Sequence, residues 1–244
     1  MAEILIGTSG WVYKSWAERF YPKDLAQKHD LEYYSHQFPT VEINSSYYRL
    51  PSEQAYDSWK EQVPSDFVFS VKASRFLTHM KKLKDPADPW ERIMKGAVHL
   101  ESKLGPILLQ FPQMWTKNIE RLEEFFESID KSKRRNVQLV FELRNESWHT
   151  KDVLRLLERN DAAWCIADSF KFDRFDDVTT DFTYIRYHGR EADKPSNYTD
   201  AELKREATKI KRFARRGIEV FAYFNNDAEG HAVRNAQKLT QLVA

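Results

Sequence analysis

Phe182-Thr183-Tyr184-Ile185-Arg186-Tyr187-His188 is a run of β-branched and aromatic residues that stops on charged and polar side chains. Successive side chains of a strand point to opposite faces, so Tyr184, Arg186 and His188 share one face. Charge on one face of an apolar strand costs desolvation energy unless it is paired or wet. A strand that ends at the mouth of a closed parallel barrel meets that condition, because the carboxyl ends of all its strands open onto one face.

Seven other segments end in the same way, at Thr8, Asn44, Lys72, Gln110, Arg144, Asp168 and Asn225. Strands are expected at about 3–8, 40–45, 66–72, 106–111, 137–143, 162–168, 182–188 and 218–225, each a short β-branched or aromatic run. Helical stretches are expected at about 24–37, 52–62, 88–104, 117–132, 150–160, 200–216 and 230–243. The alternation predicts an α/β fold, a single (β/α)8 TIM-like barrel forming one domain over residues 1–244. Gly105 and Gly217 fall between a helix and the next strand and read as helix C-caps. One unit breaks the rule: Asp168 to Asp181 has no helical apolar stripe and too few residues for a loop plus a helix. The sixth crossover is therefore expected to be irregular, a plain connector before a ligand gate.

The length of 244 residues and the 41% hydrophobic content allow a sizeable core. Lysines and arginines total 38 against 37 acidic residues, a formal net charge of +1. This balance gives no global field for a polyanion or an anionic membrane, so nucleic-acid binding would have to be local. The single cysteine, Cys165, lies in an apolar run and reads as buried core. No intrachain disulfide can form, which suits a reducing compartment. With no signal-like stretch and no apolar run of about 20 residues, a soluble cytoplasmic protein without a membrane partner is expected. The oligomeric state is not legible. Lys131, Lys133, Arg134 and Arg135 close the helix predicted over 117–132, where cations complement the helix dipole. Lys204, Arg205, Lys209, Lys211, Arg212, Arg215 and Arg216 alternate with Ile210 and Phe213 as a solvated outer face would.

Alternation sorts the strand ends. Glu42 and Asn44, Ser70 and Lys72, Glu142 and Arg144, Tyr184, Arg186 and His188, and Tyr223 and Asn225 are assigned to the barrel interior, and Gln110 and Asp168 complete the ring. Lys72, Arg144 and Arg186 are candidates for an anion clamp, since guanidinium forks suit phosphate or carboxylate and lysine adds a point charge. Glu42, Glu142, Asp168 and His188 are candidates for acid–base chemistry, with Glu142 the leading base. The plain alternative is a ring of ion pairs, such as Lys72 with Glu42 or Glu142 and Arg144 with Asp168, closing the barrel without a ligand.

Glu142, Asp168 and His188 could also hold a divalent ion, although neighbouring arginines oppose a cation and no cofactor is expected. There is no phosphate-cradling glycine motif. Trp11, Tyr13, Tyr47, Tyr48, Trp115 and Trp148 cluster after the strands, and Trp11, Tyr48 and Trp148 are candidates for stacking on a base or sugar.

The string Ile6-Gly7-Thr8-Ser9-Gly10-Trp11 with Tyr13, Trp16 and Pro22, and Thr40-Val41-Glu42-Ile43-Asn44 with Tyr47 and Tyr48, resembles the YecE-like family, domain of unknown function 72. The likeness continues through Phe69-Ser70-Val71-Lys72 with Thr78 and His79, Gln110-Phe111-Pro112, Glu142-Leu143-Arg144, Arg186-Tyr187-His188-Gly189 and Tyr223-Phe224-Asn225-Asn226. The resemblance implies a TIM-like barrel and no established reaction. From the residues, the leading expectation is an enzyme of hydrolysis or proton transfer on a phosphorylated or otherwise anionic small molecule. A non-catalytic binder of nucleotide or nucleic acid is the alternative, and a metal-dependent nuclease or isomerase the third, by fold analogy alone.

Overall fold

The computed structural model describes residues 1–129, 137–189 and 197–244. Eight parallel strands close into a barrel in sequence order, β1 pairing with both β2 and β8. They are β1 (Ile4–Ser9), β2 (Thr40–Ile43), β3 (Val68–Lys72), β4 (Leu104–Gln110), β5 (Leu139–Glu142), β6 (Ala162–Ser169), β7 (Phe182–Gly189) and β8 (Glu219–Phe224). Around them lie α1 (Asp30–Ser35), α2 (Ser45–Tyr48), α3 (Glu53–Glu61), α4 (Ala87–Ala97), α5 (Ile119–Ser128), α6 (Lys151–Arg159), α7 (Asp200–Arg215) and α8 (His231–Val243).

The expected TIM-like (β/α)8 architecture is therefore present, and β6 reaches β7 without an intervening helix. That irregular crossover is pinned rather than loose. His149 Nε2 meets Asp177 Oδ2 at 2.7 Å and stacks on Phe175 at 3.7 Å. Thr179 accepts from Trp164 N and donates to the Ala162 carbonyl.

Two hydrophobic layers form. Between strands and helices pack residues such as Val41, Phe69, Ile107, Phe141, Ile185 and Phe224. Inside the barrel are Leu5, Leu108, Val140, Ala163, Cys165, Ala167, Tyr184, Phe221 and Tyr223. The three small residues of β6 leave room for the rings of β7 and β8, so the interior is packed by complementary sizes. Its buried hydroxyls are paired: Tyr223 with Thr40 at 2.6 Å and Tyr184 with Ser70 at 2.7 Å.

Helix ends follow local chemistry. Thr199 and Glu202 form a capping box at the start of α7, whose Leu203, Ile210 and Phe213 are buried while Lys204, Arg205, Arg212 and Arg215 face solvent. Asn118 caps α5 by accepting from Arg121 N. The cluster Lys131, Lys133, Arg134 and Arg135 lies outside the described residues. Gly217, at φ +80°, ends α7 as expected.

Gly105 does not cap a helix. It belongs to β4, where a Cβ would lie 2.5 Å from Val68 Cγ1, so its missing side chain lets β4 close against β3. The first helix is also shorter than expected, because a 3₁₀ turn at Gln27–His29 precedes α1.

The β1–β2 seam depends on another glycine. Its register pairs Thr8 with Val41 and Ser9 with Glu42, and below that the Tyr34 hydroxyl bridges the strands. It accepts from Thr8 N at 2.9 Å and donates to the Thr40 carbonyl at 3.1 Å. A Cβ on Gly7 would lie 2.1 Å from that carbonyl oxygen. Gly7→Ala must open the seam and is expected to cost about 3 kcal/mol or more, measured by denaturant unfolding.

Candidate active site at the barrel mouth

The seventh strand carries Arg186 into the top interior layer, where it is fully buried between carboxylates from opposite sides of the ring. Its Nε and Nη2 donate to Glu42 Oε2 and Oε1 at 2.9 and 2.7 Å, a bidentate fork. Its Nη1 donates to Glu142 Oε2 at 2.7 Å. Glu42 also accepts from the Ser9 hydroxyl and from Tyr184 at 2.7 Å. Glu142 accepts from Gln110 Nε2 at 3.0 Å, Arg144 Nε at 2.7 Å and His188 Nε2 at 3.1 Å. Each carboxylate thus meets four donors, as many as its oxygens have lone-pair sites.

This saturation decides the chemistry of both acids. Burial alone would raise the Glu142 carboxyl, but Arg144, Arg186 and His188 hold it well below the usual carboxylate range. Burial likewise opposes ionisation of Glu42, and Arg186 and Lys72 outweigh it. The oxygens of both acids are filled by these contacts, those of Glu142, the expected leading base, included. Arg186, expected in an anion clamp, is itself neutralised by two carboxylates.

His188 is held neutral. Burial pushes its imidazole down to about 4 against the pull of Glu142. Asn225 Nδ2 lies 3.0 Å from Nδ1, while Nε2 lies 3.1 Å from Glu142 Oε1 and 3.2 Å from Arg186 Nη1; with Asn225 donating to Nδ1, the proton of the neutral ring is on Nε2. Phe172, from the irregular crossover, covers this corner, 6.2 Å from the His188 ring and 5.2 Å from the Arg144 guanidinium.

Two cations remain at the rim. Arg144 spends Nε on Glu142, while its terminal nitrogens have no partner among the described residues and its side chain is 23% exposed. The Nζ of Lys72, a residue 6% exposed, makes no hydrogen bond or ion pair among the described residues and lies over the Tyr47 ring, 4.3 Å from its centroid. Burial, reinforced by Arg186 and Arg144 and opposed by Glu42 and Glu142, pushes its ammonium down to about 7. The Ser46 hydroxyl, donating to the Lys72 carbonyl at 2.6 Å, fixes this end of β3 to α2.

Tyr47 also meets His79 edge to face at 5.1 Å. His79 sits on a π-helical turn, Phe76–Met80, a geometry frequent at functional sites. Burial and then Arg144 and Lys72 push its imidazole down to about 4. Neither Tyr47 nor His79 is on a strand, so alternation could not place them beside Lys72. The aromatic cluster after β2 was the available signal for Tyr47, and the family likeness at Thr78 and His79 the signal for His79.

Other expected members lie elsewhere. Asp168 faces the outer layer, where Arg174 Nη1 lies 3.7 Å away, because β6 presents Ala163, Cys165 and Ala167 inward. It therefore neither pairs with Arg144 nor joins Glu142 and His188 as a metal ligand. Among the described residues no group of three His, Cys, Asp or Glu is placed to hold a metal ion. Trp148 is fully buried, its indole donating to the Trp115 carbonyl at 2.7 Å. It is a packing residue, not a stacking platform. Trp11 packs edge-on against Trp59 at 5.3 Å. With Gly10, Tyr13, Asn44 and Tyr48 it also lines a hollow of about 170 Å³ beside the mouth, where Tyr48 is 70% exposed. Tyr223 lies beneath the charged layer, bonded to Thr40, out of a ligand's reach.

The family model for the protein of unknown function DUF72 matches residues 5–244. The UPF0759 protein YunF of Bacillus subtilis is 24% identical over 98% of this chain and 94% of its own length. The UPF0759 protein YecE of Escherichia coli is 26% identical over 52% of this chain and 44% of its own. Among solved structures, a DUF72 family protein of Thermotoga maritima superposes with a TM-score of 0.88 at 29% identity, covering 99% of each chain. One from Enterococcus faecalis does so at 0.81 and 20% identity, over 100% of this chain and 98% of its own, a likeness of fold alone.

Removing one partner of a buried ion network costs more than the network contributes, because the remaining charges stay buried. Arg186→Met leaves Glu42 and Glu142 without their shared cation and should destabilise by about 3–5 kcal/mol at neutral pH. Loss of the guanidinium raises both carboxyl pKa values, so protonation relieves the variant as pH falls toward 5. The stability gap between variant and wild type should therefore narrow from pH 7 to pH 5 in urea titrations.

Proposed function

We propose that this chain, which belongs to the DUF72 family, is an enzyme of proton transfer on a small anionic molecule at the carboxyl end of its barrel. One observation carries the reading. Both acids at the mouth are saturated by donors, whereas Lys72 is buried, unpaired among the described residues and poised near neutrality. A neutral amine at physiological pH can take a proton, a task closed to Glu42 and Glu142. Arg144 supplies the anchor: its unspent guanidinium nitrogens suit a carboxylate or phosphate at the rim. His79 and Tyr47 complete the wall around the amine. Of the two classes expected from the residues, the free amine favours proton transfer over hydrolysis.

The exposed Tyr48 beside its hollow favours a second reading, a non-catalytic nucleotide or nucleic-acid binder. Salt separates the two. Contacts to several phosphates of a strand give a steep loss of affinity with added salt, whereas one anion at Arg144 gives a shallow one. No helix among the described residues is long and apolar enough to cross a membrane, and the proposal includes a cytoplasmic location.

Thermal stability against carboxylates, sugar phosphates, nucleotides and short oligonucleotides tests the reading, since a ligand of the native state raises Tm. An upward shift with a small anion, lost in Arg144→Ala, is expected; shifts with oligonucleotides alone would sink it. Lys72 is testable without a substrate. Its pKa is depressed on folding, so between about 7 and 10.5 the unfolded chain binds more protons and folding gains stability as pH rises. Below pH 7 the native state bears the full cost of a buried ammonium. Lys72→Met should therefore raise Tm by a few degrees at pH 6, with a smaller gain at pH 10.

A further inference from the structure

We propose that the substrate is a carbonyl compound bearing a carboxylate or phosphate, and that Lys72 binds it covalently as an imine. The inference rests on the enzymatic reading above and names its substrate class. It starts from placement: among the described residues the Lys72 amine has no donor or acceptor partner, so nothing holds its lone pair. Its stem is fixed by β3 and by the Ser46 bond to its carbonyl, and its Nζ is steered by the Tyr47 face. A lysine kept for an ion pair would be expected to reach Glu42 or Glu142, and their oxygens are already occupied by Arg186.

The surroundings suit the steps of imine formation. The neutral Nζ attacks the carbonyl carbon, forming the C–N bond while the carbonyl π pair moves to oxygen and takes up a proton. The carbinolamine then loses its hydroxyl as water, with the nitrogen lone pair forming the C=N bond. Of the two protons on the departing water, one comes from the Lys72 nitrogen and one from solvent, so the product is the protonated imine and no redox partner is needed. His79 meets Tyr47 edge to face at 5.1 Å, with its Nδ1 3.0 Å from Thr78 Oγ1, and the proposed step gives it the transfer of these protons. A protonated imine withdraws electrons from the neighbouring carbon, which makes that carbon's proton removable. Arg144 holds the anionic end at the rim.

Trapping with borohydride tests this in the full-length protein. Pyruvate, oxaloacetate, dihydroxyacetone phosphate and glyceraldehyde 3-phosphate serve as probes, and peptide mass spectrometry locates the reduced adduct. With at least one probe, Lys72 should be labelled preferentially over every other lysine, and Arg144→Ala should lower that labelling by about tenfold. Lys72→Met, checked for folding by circular dichroism, should lose it. Labelling spread over exposed lysines, or none at Lys72 with any probe, would overturn the imine. If Lys72 still titrates near neutrality and small anions still raise Tm through Arg144, the proton-transfer reading stands without the covalent step. If neither holds, both fail.

Discussion

The fork of Arg186 between Glu42 and Glu142 is the interaction on which the upper half of this barrel depends. A guanidinium and two carboxylates are removed from water together, which is tolerable only if nearly every donor and acceptor is met. Ser9, Gln110, Tyr184, Arg144 and His188 supply the remaining partners from four strands or strand ends. The charged layer thereby ties opposite walls of the barrel together, above an interior closed by Tyr184 and Tyr223.

The same saturation determines which groups are left for chemistry. Glu42 and Glu142 balance Arg186 and Arg144 in charge, so Lys72 enters a site whose ion pairs are already complete. Burial and the two guanidiniums then outweigh the attraction of the carboxylates, and the amine is pushed toward neutrality. His79 and His188 are pushed down as well, chiefly because burial opposes an imidazolium there, with the nearby arginines adding to it. The ring of ion pairs expected as the plain alternative to a ligand site is present in part. It sets the electrostatics of the two cations outside it.

The aromatic residues divide by burial. Trp11, Trp115 and Trp148 cement the loops behind the mouth, whereas Tyr47, Tyr48 and Phe172 stand at its rim. Phe172 gives the irregular sixth crossover a place in the site's wall, and His149, Asp177 and Thr179 fix that crossover to the barrel.

The chain alone determined the barrel, because strand alternation and a stop in each hydrophobic run are local properties that survive without tertiary knowledge. They placed Glu42, Lys72, Glu142, Arg186 and His188 on the inner face correctly. Asp168 joins the expected ring only as a strand end, and it lies outside because the inward positions of β6 are Ala163, Cys165 and Ala167. Gly105 misled because a glycine before a strand can serve close approach as readily as a helix cap. Roles were decided only by the folded structure. Which cation is spent, which carboxylate keeps a lone pair and which aromatic ring stays exposed all depend on distances between strands far apart in sequence. Arg186 meets Glu42 across 144 positions of chain, and no local pattern encodes that meeting or the Lys72 amine it leaves without an ion pair.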